Sequence, residues 1–226
     1  MKKLLIGFIL ILLCVEVVLV VSTFIIMTKA TRGAQITEYK NPQKALLVID
    51  IQEDSTGITA LPFFYKGNSE FISRVNKVIE DANKKNILIV YIKQEFDGLW
   101  GKTLSWAVFG GSDIKGSPGV DVDRRVIMLS NHKFSKPWGD SFHNPELDEF
   151  LTAHQVSELY LTGLDPEVCV YATARGALNR GYKVSVVTDA ILSWRDSICV
   201  WTKNTNESIF KKYRRDGIKL ISSKEI

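Results

Sequence analysis

Histidine and cysteine are scarce in this chain, with three of each in 226 residues. Cys14, Cys169 and Cys199 are too few and too scattered for a disulfide framework or a zinc cluster. His132, His143 and His154 do not pair at a ligand spacing, so the sequence predicts neither a metal centre nor a cofactor. No Gly-x-Gly-x-x-Gly or Gly-x-x-x-x-Gly-Lys-Ser/Thr motif follows an expected strand, which excludes the common nucleotide-binding loops. Charge of one sign is also lacking. The net +4 is spread over pairs such as Lys84-Lys85, Arg124-Arg125 and Arg214-Arg215, with no basic motif interleaved by aromatics. That pattern reads as a solvated surface, and nucleic acid is not an expected partner. Internal repeats and low-complexity tracts are absent as well.

What the chain does have is 46% hydrophobic and 24% charged residues, the composition of one globular domain with a sizeable core. It also has a long apolar run. Residues 4–27 are nearly all apolar, broken by Glu16, and at about 1.5 Å rise per residue they span a ~30 Å hydrocarbon layer. A cleavable signal peptide is the rival reading, favoured by Met1-Lys2-Lys3. Its apolar region has only about 7 to 15 residues, and no small-x-small cleavage site follows Met27. The sequence thus predicts a single-pass membrane anchor at 1–28, then a linker at 29–43 and a folded domain at 44–226. Lys2 and Lys3 before the span are matched by Lys29 and Arg32 after it, so the side of the membrane is left open.

Beyond the linker, short apolar runs alternate with helical patterns. Strands are expected at 45–50, 86–92, 125–130, 157–163, 183–190 and 217–222. Asn68 is placed to cap a helix whose Phe71, Ile72, Val75, Val78 and Ile79 fall at three- and four-residue spacing. Further helices are expected at 145–153, 169–180 and 205–215, with an irregular glycine-rich stretch between the second and third strands. Strand–helix alternation predicts an α/β fold: a three-layer, Rossmann-like parallel sheet with helices on both faces.

In such a sheet, ligands gather at the carboxyl ends of the strands. Asp50 ends the first strand, the segment FSKPWGDSF follows the third, and Cys169 follows the fourth at the start of a helix. A carboxylate, a lysine and a thiol are thereby delivered to one edge. Unpaired helix-start N–H groups, the helix dipole and a nearby ammonium would all favour thiolate over thiol at Cys169. A thiolate there could attack a carbonyl carbon, and Asp50 could take the thiol proton and pass it to a leaving amine. Free cysteine is also among the most buried residue types and often only packs. Position alone leaves both readings open for Cys169, whereas Cys199 reads as a packing residue.

The stretches ALLVIDIQ, KGSPGVDVD, FSKPWGDSF, LTGLDPEVCVYATARGALNRGY and VSVVTDAI, in that order, resemble the isochorismatase-like cysteine hydrolases, which include nicotinamidases and related amidohydrolases. The resemblance implies a catalytic triad of Asp50, a lysine and Cys169. Counting back six residues from Phe142 makes that lysine Lys136, rather than Lys133. It also implies a cis peptide at 164–165, turning the Asp165 and Cys169 N–H groups toward one oxyanion. Nicotinamidases hold a metal through an Asp-x-His segment after the second strand; YIKQEFDGLWG has no histidine there, so no metal is expected. Gln52, Trp100, Trp138, Phe142 and Tyr171 are expected to contact a small-molecule substrate. The implied activity is hydrolysis of a small amide through a thioester. Its alternatives are an isochorismatase-type hydrolase of another substrate, or a small-molecule binding module at the membrane. Family members commonly form homo-oligomers.

Overall fold

The computed structural model describes residues 2–61, 68–193 and 205–226; Cys199 lies outside them. Helix α1 (Lys2–Thr28) is followed by β1 (Gln43–Ile49), α2 (Ser69–Lys84), β2 (Leu88–Gln94), α3 (Gly98–Phe109) and β3 (Lys133–Lys136). Then come α4 (Pro145–Ala153), β4 (Val156–Leu164), α5 (Cys169–Leu178), β5 (Lys183–Leu192), α6 (Thr205–Arg215) and β6 (Lys219–Ile221). The strands form one six-stranded sheet in the order β3-β2-β1-β4-β5-β6, and every pair is parallel.

The sheet is covered on both faces because its central strand is apolar on both. Ala45, Leu47 and Ile49 of β1 join a core that includes Leu147, Leu151, Val170, Ala174 and Tyr213 from α4, α5 and α6. Leu46 and Val48, pointing the other way, join Phe71, Ile72, Val75, Val78 and Ile79 of α2. Alternation along a strand thus feeds two separate cores. The Asn68 side chain caps α2 by accepting from Phe71 N at 2.9 Å, as its position predicts.

Two elements differ from the expectation. Residues 125–130 are not a strand; the edge strand is β3, Lys133–Lys136, paired with 91–94 of β2. The run's backbone is tied up by side chains instead. Ile127 N donates to Asn76 Oδ1 (2.9 Å) and Leu129 N to the Tyr91 hydroxyl (3.0 Å), while Ile127 O accepts from that hydroxyl (2.8 Å). Its apolar residues are only partly inside: Val126 is buried, but Met128 and Leu129 lie at the surface.

The second difference is α3, a helix within the stretch expected to be irregular. Asp97 caps its start and Gly110, in the left-handed region, ends it. Its outer face carries Leu99, Trp100 and Trp106, so no polar stripe marks it as a helix in the sequence.

Residues 29–36, expected as a linker, form neither helix nor strand but are bonded to the domain. Thr31 donates to Asp140 Oδ2 through N (2.7 Å) and Oγ1 (2.8 Å), and Ile36 N donates to Arg180 O (2.8 Å).

Candidate active site

Each site residue stands at a strand end or a helix start on the carboxyl edge of the sheet. Asp50 follows β1 directly. Its φ of +55° lies in the left-handed region that non-glycine residues seldom adopt, and its N–H still donates to Ile92 O at 2.9 Å. Lys136 is the last residue of β3, and Cys169 the first of α5. Beside them Gly163 (φ +119°) lets β4 pass close to β1, since a Cβ there would lie 2.1 Å from Ile49 O. The next peptide, Leu164–Asp165, is cis, in the place that the resemblance implies.

Lys136 links the other two residues. Its Nζ lies 2.9 Å from Asp50 Oδ2 and 3.5 Å from Cys169 Sγ, with 1% of the lysine exposed. A third partner had no role in the sequence reading. Gln94, the last residue of β2, accepts from Lys136 Nζ at 2.8 Å through Oε1, and its Nε2 donates to Pro137 O at 2.8 Å. The only sequence signal for it was an amide at the carboxyl end of a buried strand. Lys133, the alternative lysine, is exposed at the start of β3.

The second Asp50 oxygen, Oδ1, is buried without a hydrogen-bond partner. A buried carboxylate oxygen with no donor is costly unless a proton or ligand meets it, which suits an atom that receives a proton during a reaction. Burial pushes the Cys169 thiol well up; the Lys136 ammonium opposes this, and Asp50 adds to the rise. Desolvation thus works against the thiolate that the helix start and the ammonium favour, and it is the largest of these effects. Burial disfavours the Lys136 charge most, but Asp50 and Cys169 together outweigh it and hold the ammonium above its ordinary range.

The backbone at the helix start is arranged around Asp165. Its carbonyl accepts from Val168 N (3.1 Å) and Val170 N (3.0 Å), and its side chain accepts from Glu167 N at 2.8 Å. Cys169, as the first helical residue, has an N–H among those that find no acceptor one turn earlier in an α-helix.

The residues expected to contact substrate are dispersed. Gln52 is buried and bonded all round: Nε2 donates to Gln94 O (3.0 Å), Val120 O (2.9 Å) and Asp113 Oδ1 (3.1 Å), while Oε1 accepts from Gln94 N (2.7 Å). Phe142 is buried, with its ring 5.9 Å from Tyr182 and the Arg180 guanidinium 4.4 Å from its centre. Tyr171 donates its hydroxyl to Asp216 and stacks on Tyr213 at 5.5 Å. Trp138 is half-buried against the core cluster that contains Cys169, and Trp100 is on the outer face of α3, 59% exposed.

A nicotinamidase-like metal does not fit these residues. Lys93, Gln94 and Glu95 stand at the end of β2, with Gln94 bonded to Lys136 and Lys93 paired with Glu95 at 3.1 Å. Among the described residues, no group of three His, Cys, Asp or Glu could hold a metal ion.

Residues 44–215 match the model of the isochorismatase domain. A probable inactive nicotinamidase of Arabidopsis thaliana is 30% identical over 155 residues, covering 65% of this chain and 79% of its own length. The nicotinamidase of Escherichia coli strain K12 is 25% identical over 184 residues, covering 66% of this chain and 82% of its own. Among solved structures, N-carbamoylsarcosine amidase from Thermoplasma acidophilum has a TM-score of 0.64 at 26% identity, over 81% of this chain and 98% of its own. The resemblance carried by five short motifs thus extends through most of the folded domain, and the chain belongs to the isochorismatase family.

Proposed function

We propose that this domain is a cysteine hydrolase of a small amide and that α1 anchors it in a membrane. The observation that carries the chemistry is the buried Lys136 ammonium, shared between the Asp50 carboxylate and the Cys169 sulfur. Relatives named as a nicotinamidase and an N-carbamoylsarcosine amidase support a C–N bond as the target.

The steps follow from the atoms present. Asp50 takes the thiol proton as Sγ attacks the amide carbonyl carbon. The N–H groups of Cys169 and Asp165 hold the resulting oxyanion. Asp50 gives its proton to the departing nitrogen, the C–N bond breaks, and a thioester remains on Cys169. Water then attacks the thioester, with Asp50 taking one of its protons. The carboxylic acid leaves and the thiol is restored. Lys136 holds the Asp50 carboxyl in place at 2.9 Å and offsets the charge that develops on sulfur. Of the expected substrate contacts, Trp138, half-buried against the cluster that contains Cys169, is the aromatic best placed to meet substrate.

The anchor rests on Ile6–Thr28, 23 residues forming a helix long and apolar enough to cross a membrane. Its described side chains at 8–18 are all exposed. Release of ammonia or amine from a panel of small amides by the full chain tests the chemistry. Turnover abolished in Cys169→Ala is the expected result. Turnover retained by that variant would overturn the proposal.

A further inference from the structure

The path of the chain between α1 and β1 determines which edge of the domain faces the anchor. Helix α5 runs back across the sheet from Cys169, at the carboxyl edge, to Asn179 and Arg180, just before β5 begins at the amino edge. Ile36 and Gln35 lie at that amino end, bonded to Arg180 O (2.8 Å) and Asn179 O (2.5 Å). Thr31 is further along, against Asp140 and Arg180. Met27 has reached Gly139, where a Cβ would lie 1.8 Å from Met27 O. Gly139 O in turn accepts from Thr173 Oγ1 at 3.5 Å, one turn from Cys169. Read from residue 36 back to residue 27, the segment therefore climbs along α5 from the amino edge toward the thiol. Helix α1 continues onward, with Thr23 and Met27 still buried against the domain. Helix α1 therefore joins the domain at its carboxyl edge.

Helix α3 begins at that same edge, four residues after the end of β2. Gly101, Leu104 and Ser105 pack inward, while Leu99, Trp100 and Trp106 are 87%, 59% and 68% exposed. Lys102 is exposed between them. Ile58, in the loop after β1, adds another exposed apolar side chain at 64%. Large exposed apolar side chains grouped on one helix mark a surface that meets something apolar. Tryptophan with leucine and a flanking lysine suits the lipid headgroup region, where indole rings settle and a lysine stem can lie along the acyl boundary.

We propose that α3 lies on the bilayer that α1 crosses, with Leu99, Trp100 and Trp106 among the headgroups, so that the Cys169 edge of the sheet faces the membrane. This rests on the reading of α1 as an anchor, and the test separates the two. The full chain is reconstituted in mixed phosphatidylcholine–phosphatidylglycerol vesicles that carry a doxyl quencher near the headgroups. Quenching of tryptophan emission is compared with that of a Trp100→Phe/Trp106→Phe variant. The double variant should lose about half the quenching or more, because it removes both tryptophans of α3. Equal quenching in both proteins, with both retained on the vesicles through an alkaline carbonate wash, overturns the docking of α3 and leaves the anchor standing. Release by that wash overturns the anchor and the docking with it. Emission blind to the quencher, together with cross-linking between α3 helices that vanishes on dilution, assigns the face to a second copy and also overturns the proposal.

Discussion

Replacing Lys136 with methionine tests the electrostatic argument most directly. The ammonium is buried, 2.9 Å from Asp50 and 3.5 Å from the sulfur, and it is what opposes the upward push on the thiol. At an effective dielectric constant of about 20, a charge at such a distance is worth about 4 kcal/mol, or roughly three tenfold steps in thiolate population. Part of this returns as the site relaxes around the missing charge. The net expectation is alkylation of Cys169 by iodoacetamide about 100-fold slower near neutral pH. Labelling is followed residue by residue with peptide mass spectrometry across a pH series. Stranding a buried carboxylate also destabilises the fold by about 3–5 kcal/mol. A second variant, Asp50→Asn with Lys136→Met, removes both charges, so stability should largely return while alkylation stays slow. A single variant that is folded and labels Cys169 within twofold of the wild-type rate would refute the reasoning.

Other perturbations follow from the same geometry. Lys133→Ala, at an exposed position, should leave Cys169 labelling unchanged and stability within about 0.5 kcal/mol. Gly163→Ala would force a Cβ to 2.1 Å from Ile49 O at φ +119°, and urea denaturation should show a loss of about 3 kcal/mol or more. Thr31→Ala removes an Oγ1 that donates to Asp140 and accepts from Arg180 Nη1 at 2.9 Å, and should cost about 1–2 kcal/mol in the same measurement. Cys169 and Tyr213 are pushed well up by burial, and Tyr182 up to about 12. The unfolded chain therefore gives up these protons first as pH rises. The stability they contribute is whole below the ordinary values, about 8.5 for the thiol and about 10 for the phenols, and is lost as pH climbs through the folded ones. A denaturation midpoint that falls with alkaline pH is expected, with a shallower fall above about pH 10 in Tyr182→Phe.

Much of this architecture was legible because burial writes itself into sequence where a strand is covered on both faces. Continuous apolar runs at 45–50 and 157–163 marked β1 and β4, and the carboxylate and thiol beyond their ends located the edge. The same logic misled at 125–130. There side chains from α2 and β2 satisfy the backbone, and an apolar run carries no record of that. Helix α3 escaped notice because its outer face carries Leu99, Trp100 and Trp106, which blur the polar stripe of an amphipathic helix. Gln94 was missed because a lone amide at a strand end looks like any polar residue until its partners are in place. Phe142 and Tyr171 flank site residues in sequence, yet their rings point into aromatic and cationic contacts that only three-dimensional packing defines. The thiolate expectation weighed the dipole and the ammonium but had no measure of desolvation, and desolvation is the larger effect.

The strap at 29–36 bears on how a soluble form of this enzyme should be produced. The family match begins at residue 44, and trimming there would look natural. It would delete Thr31 from Asp140 and Arg180, Ile36 from the end of α5, and Met27 from the core. The Asp140 carboxylate, buried and already pushed up by burial, would lose two of the three hydrogen bonds it accepts next to the Lys136 loop. A weak or aggregating preparation cut at 44 would then report on the cut rather than on the catalyst, whereas one that starts just ahead of Thr23 would keep every contact by which this segment holds the domain together.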